Sequence, residues 1–358
     1  MLPKEYNSVN SQWSGSMDGI HNRIFSRDGG FKTGSSGGGE RLSMESHGVH
    51  LIVDEEECGR IWRENYPIQG IFDLWEVRAV FAGHYRRKPC FVVHETQDGI
   101  IDGVLPLGWI EEAGCFGFFP GETWNGRTWM EGNRIIARDS KVMAALIHGV
   151  PGPADIRYLL EQEVESPVLP CLDETGYLFY PMKVHGSLIH EERPFPFENY
   201  LGQFPGKSRK KLLSEIKAIE RQGISFRLND PLDIDHLFRL NLENFNGQSY
   251  FHDTRFMGAF KDLVLMLHKN NMLRIVTVLV NNEIAAVDMG AMLNSRCTIM
   301  AGGTSRAFPG IAKLINLNHI EWACRSGISL DFLCGDFGWK ARFRLTPRPL
   351  YQISLPGR

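Results

Sequence analysis

The segment "GQFPGKSRKKLLSEIKAIERQG", Gly202 to Gly223, sets Gly-Lys-Ser ahead of a helical run, the order of a nucleotide phosphate loop. Such a loop needs four residues between its first glycine and the Gly-Lys-Ser, because that length wraps a phosphate in backbone N–H groups. Only three separate Gly202 from Gly206, and Leu201 stands where the glycine is required. The lead-in "RPFPFENYL", with prolines at 194 and 196, also suits no central strand. The segment reads instead as a helix capped by Ser208, striped by Leu212, Leu213, Ile216 and Ile219, and stopped by Gly223. Lys207, Arg209, Lys210 and Lys211 crowd its start, where cations oppose the helix dipole. That arrangement is either a solvated face or a patch, centred on Lys210 and Lys211, that meets an anionic ligand.

Other stretches also hold residues with chemical potential. In "SRAFPGIAKLINLNHIEWACRSG" a strand delivers the chain to a glycine-containing turn and a helix start. Pro309 suits the first helical position, Ile311, Leu314, Ile315, Leu317 and Ile320 recur at helical spacing, and Gly327 ends the helix. Free N–H groups at such a start bind phosphate or pyrophosphate. Asp288 lies in "AAVDMGAM", where an isolated carboxylate is costly without a partner, so it faces a cleft or pairs with an arginine. "GETWNGRTWM" sets Trp124 and Arg127 together, which suits a sugar or nucleotide acceptor and equally an interface between halves. Cys334 has no histidine near it in sequence and reads as a core thiol. The twelve histidines show no HExxH or paired-ligand spacing, so no metal site is expected.

The chain's 358 residues, 43% hydrophobic and 23% charged, suffice for two globular domains. A net charge of −3 makes no general case for nucleic acid, and DNA is not expected as a partner. No apolar run reaches bilayer length and no signal pattern opens the chain. Seven cysteines without a CxxC pair imply reduced thiols and a cytoplasmic location. Residues 1–45 are Gly/Ser-rich and read as a flexible leader, with Met44 a candidate start of the folded unit.

Beyond the leader the chain repeats itself. "PCFVVHET", "IIDGVLPLGWIEE" and "CFGFFPG" read as strands joined by Asp-Gly and Ala-Gly turns. "LRIVTVLV", "EIAAVDMGAML" and "RCTIMAGGT" repeat the meander through Asn-Asn and Asn-Ser. A helical segment precedes each, "FDLWEVRAVFAG" and "TRFMGAFKDLVLMLHKNN", and "SLDFLCGD" reads as a further strand. The expected fold is α/β (α+β): two units, 46–195 and 196–358, each a mixed, mainly antiparallel sheet covered by helices. The second unit carries the basic helix at 207–222.

The order of "KSRKKLLSEIKAIERQG", the meander from "LRIVTVLVNNEIAAVDMG" to "RAFPGIAKL", and "SLDFLCGDFGWKARF" resembles the GNAT acyltransferase superfamily. "DGIIDGVLPLGWIEEAGCFGFFPGETW" is similar to the N-terminal unit of its tandem branch, which includes CelD-like acetyltransferases and Fem-type peptidyltransferases. The resemblance runs over roughly residues 50 to 355. It implies acyl transfer from acetyl-CoA or another acyl-CoA to an amine or hydroxyl of a small-molecule or glycan-type acceptor, in polysaccharide or cell-envelope biosynthesis. It places the donor's pyrophosphate at the turn holding Arg306, Gly310, Ile311 and Ala312. Gly310 and Ala312 match the superfamily's Gln/Arg-x-x-Gly-x-Gly/Ala pattern, whereas its first position falls on Ala307, one place after Arg306. In "CGDFGWKARF", Gly335 and Gly338 allow close backbone approach, Asp336 is the expected general base and Lys340 the oxyanion or phosphate contact. Trp339 stands beside Lys340 and cannot protonate a leaving thiolate. Two alternatives remain open: a Fem-like enzyme using aminoacyl-tRNA, and a non-catalytic GNAT-shaped binding protein.

Overall fold

The computed structural model describes residues 41–43, 48–160, 169–179, 196–335 and 338–357. The first half comprises β1 (Arg41–Ser43), β2 (Val49–Ile52), α1 (Glu55–Asn65), α2 (Trp75–Tyr85), β3 (Pro89–Glu95), β4 (Ile101–Ile110) and β5 (Cys115–Phe118). It continues with the hairpin β6 (Thr123–Trp124) and β7 (Arg127–Thr128), then β8 (Ile136–Ala137), α3 (Ser140–His148), β9 (Ala154–Leu159) and β10 (Leu169–Phe179). The second half holds α4 (Phe197–Gly202), α5 (Gly206–Glu220), β11 (Ile224–Leu228), α6 (Ile234–Phe245), α7 (Thr254–Lys269), β12 (Leu273–Val280), β13 (Glu283–Leu293) and β14 (Arg296–Thr304). It ends with α8 (Ile311–Ser326), β15 (Ser329–Asp331), α9 (Trp339–Arg342) and β16 (Thr346–Leu355).

Turn chemistry sets the meanders. Asn281, Asn282, Asn294 and Ser295 all take positive φ, as two-residue hairpins with right-handed twist require. The strands they join run antiparallel from β11 to β14, and β2 to β5 repeat the pattern. Each half follows its meander with a helix and a strand parallel to the meander's last: β9 beside β5, β15 beside β14. The fold is thus mixed α/β with a mainly antiparallel sheet, as expected.

The halves are not simply side by side. One 14-stranded sheet runs β1-β2-β3-β4-β5-β9-β16-β10-β15-β14-β13-β12-β11, with β8 paired to β4. Strand β16 belongs to the second half in sequence but bonds β9, and β10 of the first half bonds β15. The two exchanged strands pair with each other at the centre. Arg41–Ser43, within the expected leader, pairs as a strand with β2; residues 1–40 and Met44 lie outside the described residues.

Apolar burial fixes the layers. One face of β12–β14 packs on α6 and α7, where Phe256 and Phe260 share a core with Val77 and Phe81 of α2. The other face packs on α4, α5 and α8. A third core joins α1 and α3 to β3 and β4. Among the described residues no helix is long and apolar enough to cross a membrane.

Candidate active site

Strands β14 and β15 stay in register through Arg296–Ser329, Cys297–Leu330 and Thr298–Asp331, and then part. Strand β14 runs on to Thr304, while the other chain turns away through Leu333 at φ 57°. Met300 is the extra residue of a bulge, since Met289 faces Ala301 and the next register pair is Gly290 with Ile299. A bulge bends its strand and raises local twist, which helps open the gap. The turn at Leu333, unfavourable for a branched side chain, is held from both sides. Leu333 N donates to Asp331 Oδ1 at 3.0 Å, and Lys340 Nζ donates to the carbonyls of Phe332, Leu333 and Cys334 at 2.9, 2.9 and 2.7 Å.

Lys340 therefore takes a different part from the one expected. It is buried, and those three carbonyls match the three donors of an ammonium group. It braces the strand end and has no N–H left for a substrate oxyanion. Trp339 packs edge-on to Phe332 and Phe343 in the same brace. Asp336 lies outside the described residues.

At the far end of β14 the chain enters α8 through the turn holding the four expected donor contacts. Gly310 sits at φ 88°, and a Cβ there would approach Ile219 Cδ1 to 2.9 Å, so both backbone and space call for glycine. This conformation delays the helix to Ile311 and leaves Pro309 ahead of it rather than at its first position. No side chain caps the start. Ile311 N bonds Phe308 O, and Lys313 N and Leu314 N bond Gly310 O. The amides of Gly310 and Ala312 have no hydrogen bond among the described residues. Arg306 is exposed and anchored, donating to Glu243 O at 2.7 Å and to Asn246 Oδ1 at 3.3 Å. It thereby ties this turn to the loop after α6. Arg127 grips that loop from the other half, donating to Gln248 O at 3.3 Å while its guanidinium lies over Trp124 and Tyr250. Trp124 and Arg127 thus bridge the two halves.

Helix α5 begins at Gly206 with Pro205 as N-cap, so Ser208 is inside the first turn and caps nothing. Glu215 pairs with Lys313 of α8 at 2.6 Å. Lys211, one turn before Glu215, therefore lies on the stripe facing the α8 start, and Lys210 is exposed beside it. Asp288 departs from both expectations. It faces neither cleft nor arginine; its Oδ2 meets His319 Nε2 at 3.1 Å, buried beneath α8 in the space that Gly302 leaves. Burial lowers the His319 pKa, so the ring is a neutral partner of the carboxylate.

The structure adds residues that sequence spacing had not singled out. Glu131, 1% exposed, reaches from the first half to accept Cys334 N at 2.6 Å. It sits with Asp331, the last residue of β15, around Arg348 of β16, whose Nη2 lies 3.3 Å from Asp331 Oδ2 and 3.9 Å from Glu131 Oε2. Burial and the Asp331 carboxylate raise the Glu131 pKa to about 7. The local signal was available, since Glu131 follows apolar "TWM" and Asp331 lies between Leu330 and Phe332, as Asp288 lies in its strand. What spacing could not supply was their meeting, which needs the exchanged strand β16.

Residues 206–341 match the acetyltransferase (GNAT) domain. This GNAT segment begins at the first residue of α5, contains the parting strands and the open helix start, and ends within α9. No curated protein sequence matches the chain. Among solved structures it is similar to a conserved protein of unknown function from Bacteroides thetaiotaomicron, at 14% identity over 77% of this chain and 88% of that one, TM-score 0.49. FemX is similar at 9% identity over 85% and 97%, TM-score 0.49. A tandem GNAT protein from the clavulanic acid biosynthesis pathway is similar at 10% identity over 86% and 98%, TM-score 0.45.

Proposed function

We propose that this protein transfers an acyl group from acyl-CoA to an amine or hydroxyl at the gap between β14 and β15. The observation carrying this reading is the uncapped α8 start, with the Gly310 and Ala312 amides unbonded, beside a parted strand pair within the GNAT segment. Two free amides at a helix N-terminus suit a pyrophosphate, and Lys211 adds positive charge on the adjoining helix. The β14 edge offers backbone groups to the donor's amide-bearing arm. Glu131 is the proton acceptor in this scheme: a carboxyl group with a pKa near 7 both holds and releases a proton at working pH. The loop gripped by Arg306 and Arg127 contributes to the acceptor side. A polysaccharide or envelope acceptor is the finer reading, supported by the sequence resemblance to CelD-like enzymes.

Calorimetry with acetyl-CoA, longer acyl-CoAs and free CoA tests the proposal. Micromolar binding that free CoA shares and a 3′-dephosphorylated, pyrophosphate-free analogue lacks is expected. No heat with any of them removes the donor assignment. An aminoacyl-tRNA donor is the second reading, favoured by the exposed Lys207, Lys210 and Lys211 on α5. It requires RNA binding that weakens steeply with salt.

A further inference from the structure

The first half has its own gap, where β5 and β9 part after the single register pair Phe116–Ala154. A cavity of about 140 Å³ lies there, walled by β5, β9 and the β6–β7 hairpin. Two charged side chains in its wall, Arg78 and Glu122, are each 1% exposed. Glu122 accepts three hydrogen bonds, from Thr128 Oγ1, Trp129 N and Met130 N, and all three fall on Oε1. Oε2 has none. Arg78 donates through Nε to Phe72 O, through Nη1 to Phe119 O and through Nη2 to Asn133 Oδ1, which uses three of the five donors of a guanidinium. Trp62 and Phe118 cover its faces at 5.1 and 4.9 Å. No ion pair joins Arg78 to Glu122, although each feels the other's charge. The other charged pair in the wall is already closed, because Arg157 donates to Asp155 at 2.7 Å.

A buried acid and a buried base that line one cavity without an ion pair between them each bear a desolvation cost that direct contact would have offset. A molecule carrying both charges offsets it for both. The geometry points to a binding site for a small zwitterionic amino acid, its ammonium on Glu122 Oε2 and its carboxylate on the remaining Arg78 N–H groups. The volume is close to that of cavities that hold a benzene-sized guest, which limits the ligand to a short side chain. Ile110 and Met130 give that side chain an apolar wall. The site is independent of acyl transfer.

The test is thermal unfolding of the full chain with glycine, L-alanine and L-valine, with ethylamine and propionate as single-charge controls. A saturable rise of about 2–4 °C at tenfold excess over the dissociation constant is expected for at least one amino acid. The rise should vanish in Glu122→Gln. Because Glu122 also holds the hairpin, Ala113→Phe at the exposed cavity mouth provides a second variant that leaves the buried wall intact. Alkylation of Cys115, which lines the cavity, followed by site-resolved mass spectrometry, should slow when the amino acid is bound. Equal shifts in both variants, shifts with ethylamine alone, or no shift and no protection at saturating amino acid would each overturn the assignment.

Discussion

The two gaps in the sheet, β14 from β15 and β5 from β9, share a topology and differ in what surrounds them. Both follow a three-strand meander, in both a helix lies between the parted strands in sequence, and each has a buried cation bonded to backbone carbonyls, Lys340 in one and Arg78 in the other. They part company at the helix start. Asp139 fills the amides of α3 with its own carboxylate, so an anion meets a negative charge there. Gly310 gives α8 no such group and leaves two amides unbonded. The lesson is that a duplicated scaffold is specialised by single residues at helix N-termini, where one carboxylate replaces the ligand.

Several changes would break or sharpen this contrast. The largest effect is expected from Glu131→Gln, which should lower kcat roughly 10²–10³-fold if Glu131 takes the proton. In the wild type kcat should rise with pH through about 7 and then level, and the variant should lose that rise. The same group acts on stability in the opposite sense. Its folded pKa lies above its ordinary value of 4.5, so its contribution is present below about pH 4.5 and lost as pH climbs through 7. Melting curves of wild type against Glu131→Gln over that window should show the wild type falling behind.

Lys340→Met comes next. It removes the ammonium from the carbonyls of Phe332, Leu333 and Cys334, of which Leu333 O keeps its bond from Tyr177 N, and should cost about 2 kcal/mol in denaturant unfolding, with kcat of the surviving folded protein changed little. A large loss of kcat at unchanged stability would return Lys340 to the chemistry. Ala312→Asp sets a carboxylate in the first turn of α8, one of whose free amides is its own, whereas α3 carries its carboxylate at the N-cap. It should raise the acyl-CoA dissociation constant about tenfold without lowering Tm, since an acid in the first turn favours the helix. The reciprocal change, Asp139→Ala, should lower Tm by a few degrees and leave acyl-CoA affinity untouched. The smallest effect is expected of Lys210→Glu with Lys211→Glu, roughly threefold weaker donor binding at low salt that fades at high salt. Identical binding at low salt would make the α5 cations a solvated face.

Much of this architecture was legible residue by residue. Strands β13 and β14 begin and end where "EIAAVDMGAML" and "RCTIMAGGT" do, because Asn-Asn and Asn-Ser accept the positive φ their hairpins need. Helix α8 stops at Gly327 in the left-handed region for the same reason. The bend before α8 was legible too, since Gly310 marks it, whereas the close approach of Ile219 that also calls for glycine was not. The closing strand was not. "SLDFLCGD" pairs with β14 over only Ser329–Asp331; its continuation bonds Tyr177 of β10 and is braced by a lysine whose burial no local pattern reveals. The expectation for Asp288 failed likewise, because His319 lies thirty-one positions away on a helix that covers it.

Local conformational preference and hydrophobic period were written into the chain itself: the hairpins, the helix stops, the two meanders and the glycine before α8. Each follows from the φ range or burial of a few neighbouring residues. Which strands exchange between halves, and hence that Glu131, Asp331 and Arg348 share one buried place, only the tertiary structure decided. Strand edges carry the same backbone donors and acceptors everywhere, so pairing partners are selected by the packing of side chains far apart in sequence.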